Sequence, residues 1–305
     1  MRSSALRDTP VRVRSCNGER KSVKGWRVYA SQGPAPNFMS IAFISVITAL
    51  LYLAAAGVQF VHSLKGKPEL NRSVVGIGMV AMGCHAALAW HSISASGGFN
   101  FGFFRIFAIL SLVMNLACFA ALYWRPLQSM FAVLFPLSAV AVLVATLGPN
   151  TAAAEQGLAL GVAVHVGSSI VAYAILTLAV LQAVLLAAQD AQLKRREMGG
   201  LLSILPPLQL MESMLFELIW VGVAALTLSI ASGVVFMDDI FAQHLVHKSV
   251  LSIAAWLLFS VLLWGRYKLG WRSQTAVRFT VSGFVLLMVA FLGSKLVLEL
   301  VLQRG

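Results

Sequence analysis

The chain has 305 residues, of which 59% are hydrophobic and 11% are charged, and its formal net charge is +12 at pH 7. A soluble domain carries roughly 25% charged residues, so this chain cannot build a water-facing surface. The composition excludes a soluble enzyme, a disordered chain and a fibre, and three cysteines give no even disulfide framework. It predicts an all-α, polytopic integral membrane protein, because helices satisfy their own backbone hydrogen bonds in lipid.

Residues 1–38 form a basic extension with eight Lys and Arg against Asp8 and Glu19. The apolar sequence MSIAFISVITALLYL, typical of the start of a membrane protein, begins at Met39. We expect Met39 to be the true start and residues 39–305 to form the membrane domain, with a genuine basic tail as the alternative. Such a tail would hold the start of the first span in the cytoplasm, against the orientation that the other loops predict.

Eight apolar stretches approach the length of about 20 residues that a helix needs to cross a membrane. We expect them to pack as one bundle in the lipid bilayer. They are approximately Ser40–Val61, Ser73–Trp90, Phe103–Trp124, Ser129–Leu147, Leu158–Ala188, Leu215–Phe236, Val250–Trp264 and Phe279–Leu302. The shorter apolar segment Gly199–Met211 contains Pro206 and Pro207, which break helices, so we expect it to lie at the membrane interface.

The basic residues between the spans predict the orientation of the bundle. If the first span starts outside, the inside loops hold eleven Lys and Arg, and the outside holds three, Arg105, Lys248 and Arg304. Basic residues are retained on the cytoplasmic side, so both ends of residues 39–305 are predicted to face outward. Because these Lys and Arg residues are distributed over several short loops, they form no continuous phosphate-binding face, which argues against nucleic acid as a partner.

Five of the six histidines fall near the predicted outer face. His165 lies about 10 Å deep in the fifth span, His85 lies near the outer end of the second, and His91, His244 and His247 lie at or beyond span ends. Neutral imidazole is an axial ligand of haem iron, and two histidines on different helices can hold the iron between them. We therefore predict that His165 is one axial ligand and that His85 or His247 is the other. The alternative is that each histidine simply hydrogen-bonds a neighbouring helix.

Two basic residues accompany these histidines. Arg105 opens the third span, where its guanidinium could bind a carboxylate, such as a haem propionate, in a bidentate manner or anchor the helix end. Lys295 and Glu299 are spaced i, i+4 and predict an ion pair on the last span, with an acidic ligand group as the alternative partner of Lys295. Glu217 is expected to orient the sixth span.

No sequence motif predicts catalysis. The chain contains no P-loop, GxSxG, HExxH or CxxC motif, so we predict a protein that is not an enzyme. The outer loop with Asp238, Asp239, His244 and His247 lacks regular metal-ligand spacing, and we interpret it as a solvated loop and predict no metal site.

Several short motifs in residues 158–300 carry a family resemblance. They are Leu205-Pro206, Ser232-Gly233, Lys248 followed by Trp256, Gly270-Trp271, Ala276, Gly283-Phe284 and the run HVGSSIVAY from His165 to Tyr173. In these motifs the chain resembles the cytochrome c assembly family of haem-handling membrane proteins, the CcsA, CcmC and HemX types. Within that family it is similar to the YpjD-like inner-membrane branch.

The resemblance implies a haem-binding or haem-handling protein of the bacterial inner membrane that takes part in cytochrome c biogenesis, with His165 as a haem ligand near the periplasmic face. Haem is the implied cofactor, and other membrane or periplasmic assembly proteins are the implied partners. The family's tryptophan-rich outer loop would fall between Met237 and Lys248, where this chain has no tryptophan, and the family histidines expected near Trp264 and beyond the eighth span are absent. A haem-free membrane scaffold of the same fold is therefore the alternative, followed by a small-solute or ion transporter.

Overall fold

The computed structural model of the chain describes residues 38–65, 70–94, 102–148, 159–195, 205–236 and 246–295. Within these ranges the chain forms eight α-helices, one short 3-10 helix and no strand, so the predicted all-α fold is confirmed. The α-helices are α1 (Phe38–Leu64), α2 (Arg72–Ser94), α3 (Phe103–Ala121), α4 (Phe131–Leu147), α5 (Leu160–Lys194), α6 (Leu208–Phe236), α7 (Val246–Leu269) and α8 (Gln274–Lys295). The 3-10 helix, Gln128–Met130, leads directly into α4.

Each predicted span corresponds to one helix. Seven of the described helices are long and apolar enough to cross a membrane. The remaining helix, α4, has 17 residues and is therefore about 26 Å long, which is at the short end of the range for transmembrane helices. The chain is a multi-span membrane protein built as a helical bundle.

The largest difference from the predicted boundaries is at the start of α6. This helix begins at Leu208, because the Pro207 carbonyl accepts hydrogen bonds from the backbone N–H groups of Leu210 (2.9 Å) and Met211 (3.1 Å). Proline is favourable at a helix start, where its missing N–H has no partner to lose. The last four residues of the segment predicted to be interfacial therefore form the first turn of α6, and residues 199–204 lie outside the described ranges.

The central helix of the bundle is α5, which packs against α3, α6 and α8. Its contact with α6 is the closest, because Gly222 on α6 has no side chain where Leu176 on α5 crosses it. A Cβ atom at Gly222 would lie 2.5 Å from Cδ2 of Leu176. Small residues at such crossings let membrane helices approach and gain van der Waals contact.

An aromatic cluster fills the space between α1, α2, α3 and α4. The ring of Phe119 lies 4.6 Å from that of Phe131, Phe131 lies 4.9 Å from Phe135, and Phe135 lies 5.5 Å from Tyr52. Tyr52, Phe131 and Phe135 are fully buried. Because α1 contributes Tyr52 to this cluster, the cluster connects the first helix to the rest of the bundle.

One end of the bundle is held together by ion pairs, and we refer to it as the charged end. Nη1 of Arg266 on α7 lies 2.5 Å from the Glu212 carboxylate on α6, and Lys194 lies 2.8 Å from Asp190 on α5. The other members of the charged end are Arg272, which also reaches Glu212, and Arg125 with Glu217. All three acidic residues in the described ranges lie in the halves of α5 and α6 nearest this end.

The close packing of Gly78 on α2 against the aromatic cluster leads to a first prediction. A Cβ atom at Gly78 would lie 2.9 Å from Cζ of Phe135 and 3.3 Å from Cζ of Phe119, whereas at Gly83 on the same helix no atom lies within 4 Å. We expect Gly78→Ala to lower the free energy of unfolding by about 1–3 kcal/mol, because the nearer ring, that of Phe135, is fully buried and has no room to move. We expect Gly83→Ala to raise it by roughly 0.5–1 kcal/mol through helix propensity. Denaturation in mixed micelles would measure both, and equal effects of the two variants would contradict the packing.

Candidate functional site

His165 lies in the second turn of α5, at the end of the bundle opposite the charged end. Its Nδ1 atom is 2.8 Å from the backbone carbonyl oxygen of Ser229 on α6. A carbonyl oxygen can only accept, so Nδ1 carries the proton and donates it. The neutral ring therefore has its lone pair on Nε2, and a backbone carbonyl that fixes the tautomer in this way is a common support of metal-binding histidines.

The surroundings of His165 leave space for its ring. A Cβ atom at Gly233 would lie 3.1 Å from both Cε1 and Nδ1 of His165, so a larger residue would push the ring aside. The Ser169 hydroxyl donates a hydrogen bond to the backbone carbonyl oxygen of His165 (2.7 Å). The same hydroxyl oxygen accepts a hydrogen bond from the hydroxyl of Ser229 (2.6 Å). These contacts fix α5 against α6 at the level of the imidazole.

An apolar surface lies one turn from His165. The Phe236 ring packs directly on Gly161, which precedes His165 by four residues and so shares its helix face. Phe236 is still 53% exposed. His165 itself is only partly buried, so its imidazole borders a surface that a planar apolar ligand can reach.

His85 has a different environment and lies deeper than predicted. It is past the midpoint of α2, about 14 Å from the end of that helix, and only 1% exposed. Its Nδ1 atom lies 3.1 Å from Oη of Tyr52 on α1. Its Nε2 atom is buried without a hydrogen bond of normal geometry, although the Ala108 carbonyl, which already accepts from Ser111, lies beside the ring.

His85 and Arg105 line the same cavity, which is enclosed by α2, α3 and α4. The cavity is partly open and has a volume of about 10 Å³, close to the least that holds one water molecule. Nη1 of Arg105 is buried there without a hydrogen-bond partner. A haem cannot enter a cavity of this size, so the residues at His85 do not fit haem as they stand.

The structure thus brings His85 and Arg105 together but places His165 elsewhere, against α6. No hydrogen bond joins His165 to either of them among the residues that the structure describes. His247 is in the first turn of α7 and Lys295 ends α8, both at the His165 end, but their side chains are outside the description. The predicted role of His247 as a haem ligand and that of Lys295 as the partner of Glu299 or of an acidic ligand group therefore stay predictions. The loop predicted to be solvated, residues 237–245, and Glu299 lie outside the described ranges.

Sequence reasoning missed the partners of the two histidines. Ser229 acts through its backbone carbonyl, which carries no sequence signal, whereas Gly233 was noted only as part of a family motif. Tyr52, a hydroxyl in an otherwise apolar stretch, was the available signal for a partner of a buried histidine. In the described ranges no group of three or more His, Cys, Asp and Glu side chains is placed to hold a metal ion.

The profile of a family described as "Cytochrome C assembly protein" matches residues 75–302. The inner membrane protein YpjD of Escherichia coli strain K12 is 32% identical over 265 residues, which cover 84% of this chain and 99% of YpjD. A 28.8 kDa protein from the nifR3-like 5' region of Azospirillum brasilense is 26% identical over 271 residues, covering 87% of this chain and all of that protein. Protein HemX of Brevibacillus brevis is 24% identical over 278 residues, which cover 83% of this chain and 95% of HemX. No solved structure matches the chain.

Proposed function

This chain belongs to the cytochrome c assembly protein family, and from that premise we propose that it binds haem through His165 and presents it to other assembly proteins. The proposed location is the bacterial inner membrane, with His165 near the periplasmic face, and the proposed role is binding rather than catalysis. The basic residues of the charged end support this orientation, because basic residues favour the cytoplasmic side.

The observation that carries the proposal is the hydrogen bond from Nδ1 of His165 to the Ser229 carbonyl. It fixes the ring and leaves the Nε2 lone pair available to haem iron. Bound haem would supply the iron centre, while the protein holds the ring orientation and the surrounding apolar surface. Gly233 and Gly161 contribute by leaving space for the imidazole and for the Phe236 ring.

The proposed second ligand is His247 rather than the other predicted candidate, His85. His247 shares the end of the bundle with His165, and α7 packs against α6, which already holds the His165 ring. The size of the cavity beside His85 counts against that alternative.

Titration of the detergent-purified chain with ferric haem tests the proposal. We expect a saturable shift of the Soret band that reaches its limit at one haem per chain, because an imidazole nitrogen replaces a solvent ligand of the iron. Empty detergent micelles provide the control for partitioning. A spectral change that grows linearly and equals that of empty micelles would contradict the proposal. It would favour the haem-free scaffold, to which the absence of tryptophan between Met237 and Lys248 also points.

A further inference from the structure

We propose that the cavity between α2, α3 and α4 is a binding site for the carboxylate group of an amphiphile, with Arg105 and His85 as its two donors. The site is separate from the His165 ring, which is held by α6. The test of this carboxylate site is therefore independent of whether His165 binds haem.

The first argument is that two of the residues lining the cavity each carry a buried nitrogen atom that lacks a hydrogen bond of normal geometry. Nη1 of Arg105 and Nε2 of His85 are buried without a hydrogen bond of normal geometry. Oη of Tyr52 is the natural donor to Nδ1 of His85 at 3.1 Å, which places the ring proton on Nε2.

The second argument is charge. Every acidic residue in the described ranges lies at the charged end, where Asp190, Glu212 and Glu217 each have a basic partner. Arg105 is at the other end of α3 from Arg125, so none of these carboxylates can neutralise it. A partly buried cation is costly without a counter-charge, and an anionic ligand supplies one.

The third argument is the size of the cavity, which admits only the terminal atom of a ligand's polar group and excludes a bulky ligand. A volume of about 10 Å³ admits one oxygen atom in place of one water molecule. A planar carboxylate meets this limit with one oxygen inside the cavity, whose lining includes Arg105 and His85, and the other oxygen at the mouth. Thr146 also lines the cavity, but its hydroxyl already donates to the Val142 carbonyl (2.9 Å) and is not available as a donor to the ligand.

Two amphiphiles carry such a carboxylate near the end of a membrane bundle, a fatty acid and the propionate of a haem. The probe we choose is dansyl-labelled undecanoic acid, with its methyl ester as the uncharged control. The full chain in detergent is expected to give a saturable rise in dansyl fluorescence with the acid and a much weaker rise with the ester. Equal binding of acid and ester would overturn the proposal without any variant.

Substitutions of Arg105 test whether its guanidinium donates to the carboxylate. We expect Arg105→Gln to weaken binding of the acid by about tenfold or more, because a hydrogen bond to a charged group is lost, and Arg105→Lys to give an intermediate affinity. Arg72→Gln, an exposed arginine at the other end of α2, is the matched control and should bind as the wild type does. Wild-type affinity in Arg105→Gln would overturn the proposal. Displacement of the probe by haem but not by haem dimethyl ester would identify a propionate as the source, and failure of both to displace it would identify a fatty acid.

Discussion

Replacing His165 with alanine is expected to abolish the Soret shift that haem produces in the wild type, with a loss of affinity greater than about 100-fold. Removing even a supporting residue of a metal ligand typically costs 10–100-fold, and this change removes the ligand itself. The measurement is the same haem titration, with the melting temperature of each variant recorded beside it. Because His165 is only partly buried and borders Gly233, the variant should keep the fold of the bundle.

His62→Ala is the matched control for this experiment. His62 is in the last turn of α1, at the opposite end of the bundle from His165, and its removal should leave the Soret shift unchanged. If His165→Ala binds haem as the wild type does, His165 is not the ligand. A loss in both variants would indicate a general defect in the preparation, which the melting temperatures would reveal.

Glu212→Gln is expected to lower the free energy of unfolding by about 1–3 kcal/mol, because charged hydrogen bonds to a buried carboxylate are lost while its arginine partners, 30% and 62% exposed, stay charged. The Glu212 side chain is 6% exposed and lies 2.5 Å from Nη1 of Arg266 and 3.4 Å from Nε of Arg272. Arg266 also donates to the Trp271 carbonyl (3.2 Å) and lies over the Phe216 ring. The carboxylate therefore organises the ends of α6, α7 and α8 together.

Glu217→Gln is the matched control, because Glu217 lies on the same helix and also has an arginine partner. The Arg125 and Glu217 side chains are 39% and 47% exposed, and an ion pair screened by solvent contributes only about 0.2–1 kcal/mol. Denaturation in mixed micelles compares the two variants. If Glu217→Gln were as destabilising as Glu212→Gln, burial would not be what gives the Glu212 cluster its strength.

The spans were predictable because lipid imposes one strong requirement, about 20 apolar residues per crossing, and all eight predicted spans are helices. The ends of the helices were less predictable. Leu208 begins α6 directly after two prolines, where the local pattern alone indicates a break and only the hydrogen bonds to Pro207 show a helix start. The prediction placed Glu217 on the sixth span, as observed, but did not identify Arg125 as its partner. Arg125 lies in the turn after α3, and the contact depends on how that turn packs against α6.

In the candidate site, too, positions along a helix were predictable from the sequence, whereas contacts between helices were not. The position of His165 near the start of its helix was predictable, because the fifth apolar stretch and α5 begin within two residues of each other, at Leu158 and Leu160. Its hydrogen bond was not, because the acceptor is the backbone of Ser229 on another helix. His85 was expected near the outer surface, but α2 continues to Ser94, and the histidine therefore lies deeper and beside Tyr52. Residue counting gives depth along one helix but not the facing residue on the next.

The central claim is that Nε2 of His165 binds haem iron, and the most direct measurement is an absorption spectrum of haem with His165→Gly, with and without free imidazole. The shortened side chain leaves a space between α5 and α6 in which imidazole can take the place of the lost ring. The account predicts no protein-dependent Soret shift in the variant alone and recovery of the wild-type oxidised and reduced spectra when imidazole is added. A wild-type spectrum from His165→Gly in the absence of imidazole would contradict it.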